Sequence, residues 1–89
     1  MKIKKGFVLR EMAGGVNVVV GVGEQANTLK GYITLNESGA FIWKVLEKGG
    51  SLGDVVNALL SEYDVDEKTA TADSLSVIEK LKEIGALDD

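Results

Sequence analysis

The sequence predicts an α+β fold, a three-stranded antiparallel sheet followed by three α-helices. Three observations carry that reading. Apolar residues alternate in short runs up to Leu35, and from Phe41 onward they recur at helical spacing. The change falls within one stretch, Tyr32-Ile33-Thr34-Leu35-Asn36-Glu37-Ser38-Gly39-Ala40-Phe41-Ile42-Trp43, where strand formers run into a helix. Asn36 suits that boundary, because its side-chain oxygen accepts from a backbone N–H of the first helical turn.

Taken in order, Phe7–Met12 alternates as a strand, with Phe7 and Leu9 on one face. Ala13-Gly14-Gly15 supplies a tight hairpin, and Val16–Val20 returns with Val16, Val18 and Val20 on one face. Gly21-Val22-Gly23-Glu24-Gln25-Ala26 then matches the G-x-G-x-x-A pattern of dinucleotide sites. That pattern needs a helix opening at the glycines, and only about one turn fits before Gly31. A connecting loop is the better reading.

Lys30–Leu35 makes the third strand, with Tyr32 and Thr34 on one face and Ile33 and Leu35 on the other. Such a sheet keeps two open edges, which invite pairing or need cover.

The first helix is expected from Glu37 to Lys48, ending at Gly49-Gly50. Phe41, Ile42, Val45 and Leu46 give it an apolar face around Trp43, the only tryptophan. Ser51-Leu52-Gly53-Asp54 has the form of a capping box for the second. Leu52, Val55, Val56, Leu59, Leu60 and Tyr63 form its amphipathic stripe.

Asp66 is the expected N-cap of the third helix, Glu67–Ile84, with Val65 and Ala70 as a staple across the cap. Gly85 ends it. Ala70, Val77, Ile78, Leu81 and Ile84 share its apolar stripe, while Leu75 falls to the side, near Thr71, Lys82 and Lys68. Leu75 either packs on a strand or the tail, or lines a shallow groove beside the core.

Composition limits the function. The 89 residues have room for one domain, expected to span 1–89. No stretch approaches the roughly 20 apolar residues of a membrane span. The basic Met1–Lys5 segment lacks the apolar run of a signal peptide. A cytoplasmic location is the default expectation.

With no cysteine and no histidine, disulfides and thiolate or imidazole metal sites are ruled out. The acidic run Asp64-Val65-Asp66-Glu67 fails as a calcium loop, since its sixth position is Thr69 and its twelfth Leu75. General acid–base work would fall to Asp, Glu, Lys or Tyr, and no pair of these is predicted to share an enclosed pocket. No catalytic residue, metal site or cofactor is expected, and an enzyme is not the reading.

A sheet followed by three stacked helices has the outline of a winged helix-turn-helix, which makes a DNA-binding transcription regulator the rival function. Charge opposes it. Residues 1–35 carry five basic side chains against two acidic ones, a net of +3. Residues 36–89 carry five lysines against twelve acids, a net of −7. A helix that reads bases presents Arg, Lys, Asn or Gln. The third helix opens Asp66-Glu67-Lys68-Thr69-Ala70-Thr71-Ala72-Asp73, and the only arginine is Arg10. No nucleic-acid partner is expected.

Residues from about Phe7 to Leu87 resemble the PqqD family. Ile33–Trp43 carries most of the likeness, with Leu59–Asp66 and Leu81–Leu87 adding to it. The resemblance implies a winged-helix peptide-binding domain that recognises the leader of a ribosomally made precursor peptide and hands it to a modifying enzyme, often a radical-SAM protein. It also implies that the leader adds as a strand beside the third β-strand, here Lys30, Gly31, Tyr32, Ile33, Thr34 and Leu35. Thr71, Leu75, Ile78 and Lys82 would complete the groove from the third helix, or Asp73, Val77 and Lys80 from its other flank.

Backbone pairing at an open edge, with side-chain pockets from a neighbouring helix, is a known mode of peptide capture. The chain has no proline, which departs from members serving pyrroloquinoline quinone synthesis and leaves another peptide pathway open. A monomer or a homodimer is expected.

Overall fold

The computed structural model describes residues 1–29 and 31–88. In chain order the elements are β1 Lys2–Ile3, β2 Phe7–Met12, β3 Val16–Gly21, β4 Tyr32–Leu35, α1 Glu37–Lys48, α2 Leu52–Glu62, α3 Glu67–Glu83 and β5 Leu87–Asp88. The main sheet is antiparallel in the order β2-β3-β4. It precedes the three helices, so the expected α+β arrangement is present.

Register follows the alternation of side chains. Val19 lies opposite both Leu9 and Ile33, and Val18 opposite both Arg10 and Thr34. Phe7, Val19 and Leu35 therefore point into the core, where they meet Ile42, Trp43 and Leu46 of α1. The hairpin closes through Gly14 and Gly15 at φ 84 and 77, the left-handed region glycine enters freely. Gly21–Ala26 is a loop carrying one short 3₁₀ turn, Gly23–Ala26, and not the start of a long helix.

The third strand begins later than expected, at Tyr32. Gly31 sits at φ 94, outside the extended region, and Lys30 lies outside the described residues. At the other end Asn36 caps α1, its Oδ1 accepting from the Gly39 N–H at 2.8 Å. A Cβ on Gly39 would lie 3.3 Å from the Leu35 Cβ, so the bare glycine lets α1 start tight against β4.

The other helix ends also follow local chemistry. The Ser51 Oγ accepts from the Asp54 N–H at 3.1 Å, and the Ser51 N–H donates to the Asp54 carboxylate at 2.9 Å. The Asp66 carboxylate accepts from the Thr69 N–H at 2.7 Å. These bonds hold the Asp54 and Asp66 carboxyls below the usual carboxylate range. α3 ends one residue short of the expected Ile84, because the Gly85 and Ala86 N–H groups bond back to Lys82 and Leu81.

Two features exceed the sequence reading. β1 pairs with β5 as a separate two-stranded ladder, Ile3 opposite Leu87, which ties the two ends of the chain together. The buried stripe of α3 also passes through Ser74, fully buried beside Ala70, Ile78 and Leu81. Its hydroxyl is satisfied by donating to the Ala70 carbonyl at 2.7 Å.

Candidate functional site

β4 has one sheet neighbour, β3, so its far side is an open edge among the described residues. An open edge presents a row of unpaired N–H and C=O groups to an extended chain. Ile33 and Leu35 face the core, while Tyr32 and Thr34 face away from the helices, Tyr32 being 65% exposed.

The two ends of α3 lie near residues on either side of this strand in the chain. Near its start, Ala70 and Asp73 share a hollow of about 330 Å³ with Asn36, Glu37 and Ser38, where β4 passes into α1. Just beyond its end, a Cβ on Gly85 would lie 3.7 Å from the Thr28 side chain, in the segment leading to β4. The hollow has an apolar floor of Leu59, Tyr63, Val65 and Ala70, with the Glu37 and Asp73 carboxylates among its lining. The two staple residues, Val65 and Ala70, therefore meet at this hollow.

Tyr63 stacks edge-on against Phe41, with ring centroids 5.5 Å apart. Burial raises its phenol above the usual tyrosine range, and the Glu37 and Glu62 carboxylates add to that.

The sequence-derived site residues fall into three groups. Gly31, Tyr32, Ile33, Thr34 and Leu35 lie along or next to the open edge, and Lys30 is outside the described residues. Ile78 belongs to the core. Leu75 is 42% exposed and borders a shallow depression with Glu67, Lys68, Thr71 and Ala72, all from α3 itself. Lys82 is exposed on the same flank. On the opposite flank, Asp73 reaches the hollow beside Asn36, and Val77 packs half-buried against the core.

The wheel of α3 shows both flanks, and Asp73, on one of them, borders the hollow beside Asn36. No group of three or more Asp and Glu side chains that could hold a metal occurs among the described residues. Nor is any helix among them long and apolar enough to cross a membrane.

The family model for coenzyme PQQ synthesis protein D (PqqD) matches residues 17–87, from β3 to β5. The chain belongs to the PqqD family. Two solved structures have the same fold. TbiB1, in complex with the TbiA(beta) leader peptide, is 26% identical with a TM-score of 0.76, over 99% of this chain and 95% of that one. A lasso peptide synthetase B1, complexed with the leader peptide, is 28% identical with a TM-score of 0.72, over 96% of this chain and 93% of that one. No curated protein sequence matches.

The β4 edge lies next to the hollow that Asn36 and Asp73 share. An open strand edge with a neighbouring side-chain pocket has the two elements that peptide capture by strand addition uses.

Proposed function

We propose that residues 1–89 act as one non-enzymatic peptide-binding domain of a ribosomal peptide pathway in the cytoplasm. The domain takes up the leader of a precursor peptide as a fourth strand beside β4 and presents it to a modifying enzyme, a radical-SAM protein being one candidate. The observation that carries this reading is the open β4 edge, in a PqqD-family fold whose two similar solved structures are each in complex with a leader peptide.

Gly31, Tyr32, Ile33, Thr34 and Leu35 supply the ladder. The hollow that Asp73 shares with Asn36 supports the Asp73–Val77–Lys80 flank as the helical wall of the groove. Thr71, Leu75 and Lys82 form the competing wall, and the depression beneath Leu75 is lined by α3 residues alone, whereas the other hollow reaches Asn36 at the end of β4. Ile78 shapes the groove from below, as part of the core. The product and the enzyme follow from the precursor, which the groove holds by backbone pairing and therefore with loose sequence demands.

An amide NMR titration of the labelled chain with leader peptides from neighbouring precursor genes tests the proposal. Shifts concentrated on 31–35 and on one flank of α3 are expected. Shifts at Asp73, Val77 and Lys80 select the hollow, and shifts at Thr71, Leu75 and Lys82 select the other wall. Uniform silence across several leaders would overturn the reading.

A further inference from the structure

The hollow beside Asn36 joins an apolar floor to an acidic rim. Leu59 and Ala70 of the floor are buried, and Tyr63 and Val65 continue it outward. Glu37 and Asp73 are the charged residues of the lining, both exposed, and no lysine or arginine is among its members.

We infer that this hollow is the specificity pocket of the groove and takes one lysine or arginine side chain of the bound leader. The stem lies on the apolar floor, and the cationic head turns toward the Glu37 and Asp73 carboxylates. The inference rests on the leader reading above and deepens it, by naming the residue class the leader must carry. Position, size and charge each select this occupant.

Position comes from the register. Leu35, the last residue of β4, faces the core on the helix side of the sheet. In an antiparallel pair, directly opposed side chains share a face. The leader residue opposite Leu35 would therefore also turn toward the helices, while its neighbours in sequence point away. Asn36, next after Leu35, lines the hollow, so that leader residue is the one placed beside it.

Size excludes a larger guest. The hollow measures about 330 Å³, at the small end of the range of about 300–1,000 Å³ for pockets that enclose a whole ligand. One long side chain suits it, and a helix or a second domain does not.

Charge selects the kind of side chain. Lysine and arginine bury their methylene stems on apolar surface and keep the charged head in water. Floor and rim meet both demands, whereas an apolar side chain leaves the rim unused and an acidic one meets like charge. The N-terminus of α1 opens on the same hollow and opposes a cation, but it is equivalent to roughly half a unit charge, against two carboxylates. Tyr63 registers the same negative sign, since the Glu37 and Glu62 carboxylates add to the effect of burial on its phenol. Lys44 shares a separate hollow with Glu37 and Glu11 and competes for Glu37. Asp73 is therefore the stronger determinant. The backbone ladder holds the leader, and this contact selects it.

The test is a substitution series in the leader of the neighbouring precursor gene, read by calorimetry against the intact chain. Each Lys and Arg of the leader is replaced in turn by Met, which keeps a long apolar stem and loses the charge. One position is expected to weaken binding by about threefold or more, the scale of a partly screened ion pair. That penalty should vanish in a chain carrying both Glu37→Gln and Asp73→Asn. With Asp73→Lys the preference should reverse, a leader with Glu at that position binding better than one with Lys. The peptide series alone already decides the first point, whatever the variants do to the fold.

No position that reaches about threefold, or a penalty that persists in the double variant, would overturn the inference. So would tighter binding with Met than with the cation, since the hollow would then be a purely apolar pocket. A wild-type chain that binds no leader would instead strike the leader reading itself. Leader binding that ignores the basic residues strikes this inference alone.

Discussion

Asn36 carries more than its own hydrogen bond. Its Oδ1 accepts from the Gly39 N–H at 2.8 Å and from the Ser38 hydroxyl at 3.2 Å, which fixes the first turn of α1 immediately after the open strand. Asn36→Ala should cost about 1 kcal/mol of stability, measured by urea denaturation. The carboxylate caps behave differently, because they titrate. Asp66 and Asp54 each have a folded-state pKa below the ordinary one, owing first to the backbone N–H each accepts. Their stabilisation is therefore full above the unfolded carboxylate value, about pH 4, and is lost as pH falls through the lower folded value. Asp66→Asn keeps a capping oxygen but cannot be protonated, so its urea midpoint should fall less than wild type's between pH 5 and pH 3, on the order of those carboxylate values. An equal fall in both proteins would show that this cap does not contribute to the acid sensitivity. These caps were legible in the sequence because capping is settled within four residues. Ser74 was not, since a hydroxyl hides a core position until the helix carbonyl that satisfies it is known.

At the level of elements, β4 combines two demands that a single substitution can separate. Successive residues of a strand point their N–H groups in opposite directions, one toward β3 and the next toward the open edge. Proline removes one donor and is tolerated only where that donor faces outward. Of the pair Ile33→Pro and Thr34→Pro, one should therefore break the β3–β4 ladder and lower the melting temperature. The other should leave the fold intact and weaken leader binding by about tenfold or more, through one lost hydrogen bond and the steric bar of the ring. Circular dichroism sorts the two, and calorimetry reads the affinity of the folded one. If the folded variant binds a leader as wild type does, strand addition at this edge is wrong. The strands and helices that meet this edge were legible from period and caps. β1 and β5 were not, because two-residue strands have no periodicity to read and their pairing joins residues at opposite ends of the chain.

Across the whole molecule the charges divide with the architecture, net +3 on residues 1–35 and −7 on residues 36–89. The division was visible in the sequence, but its bearing on the groove was not, because helical spacing places Asp73 and Leu75 on opposite flanks without saying which flank meets β4. The hollow sets Asp73 and Glu37 beside Asn36, the residue that follows β4. Carboxylates there repel phosphate, and on the proposed reading backbone pairing and apolar contact are the main sources of affinity. A protein that neutralises six to ten phosphates loses about 10³–10⁵ in affinity between 50 and 200 mM salt. Leader binding at the β4 edge should change by less than about tenfold over that range, because hydrogen bonds and apolar burial are little screened. Fluorescence anisotropy with one labelled leader, at both salt concentrations, makes the measurement. A steep fall would mean that long-range charge, and not the strand edge, dominates recognition. Asp73→Asn would then decide whether the carboxylates of the hollow are its source, since it should flatten the slope if they attract a basic leader and leave it unchanged if they do not.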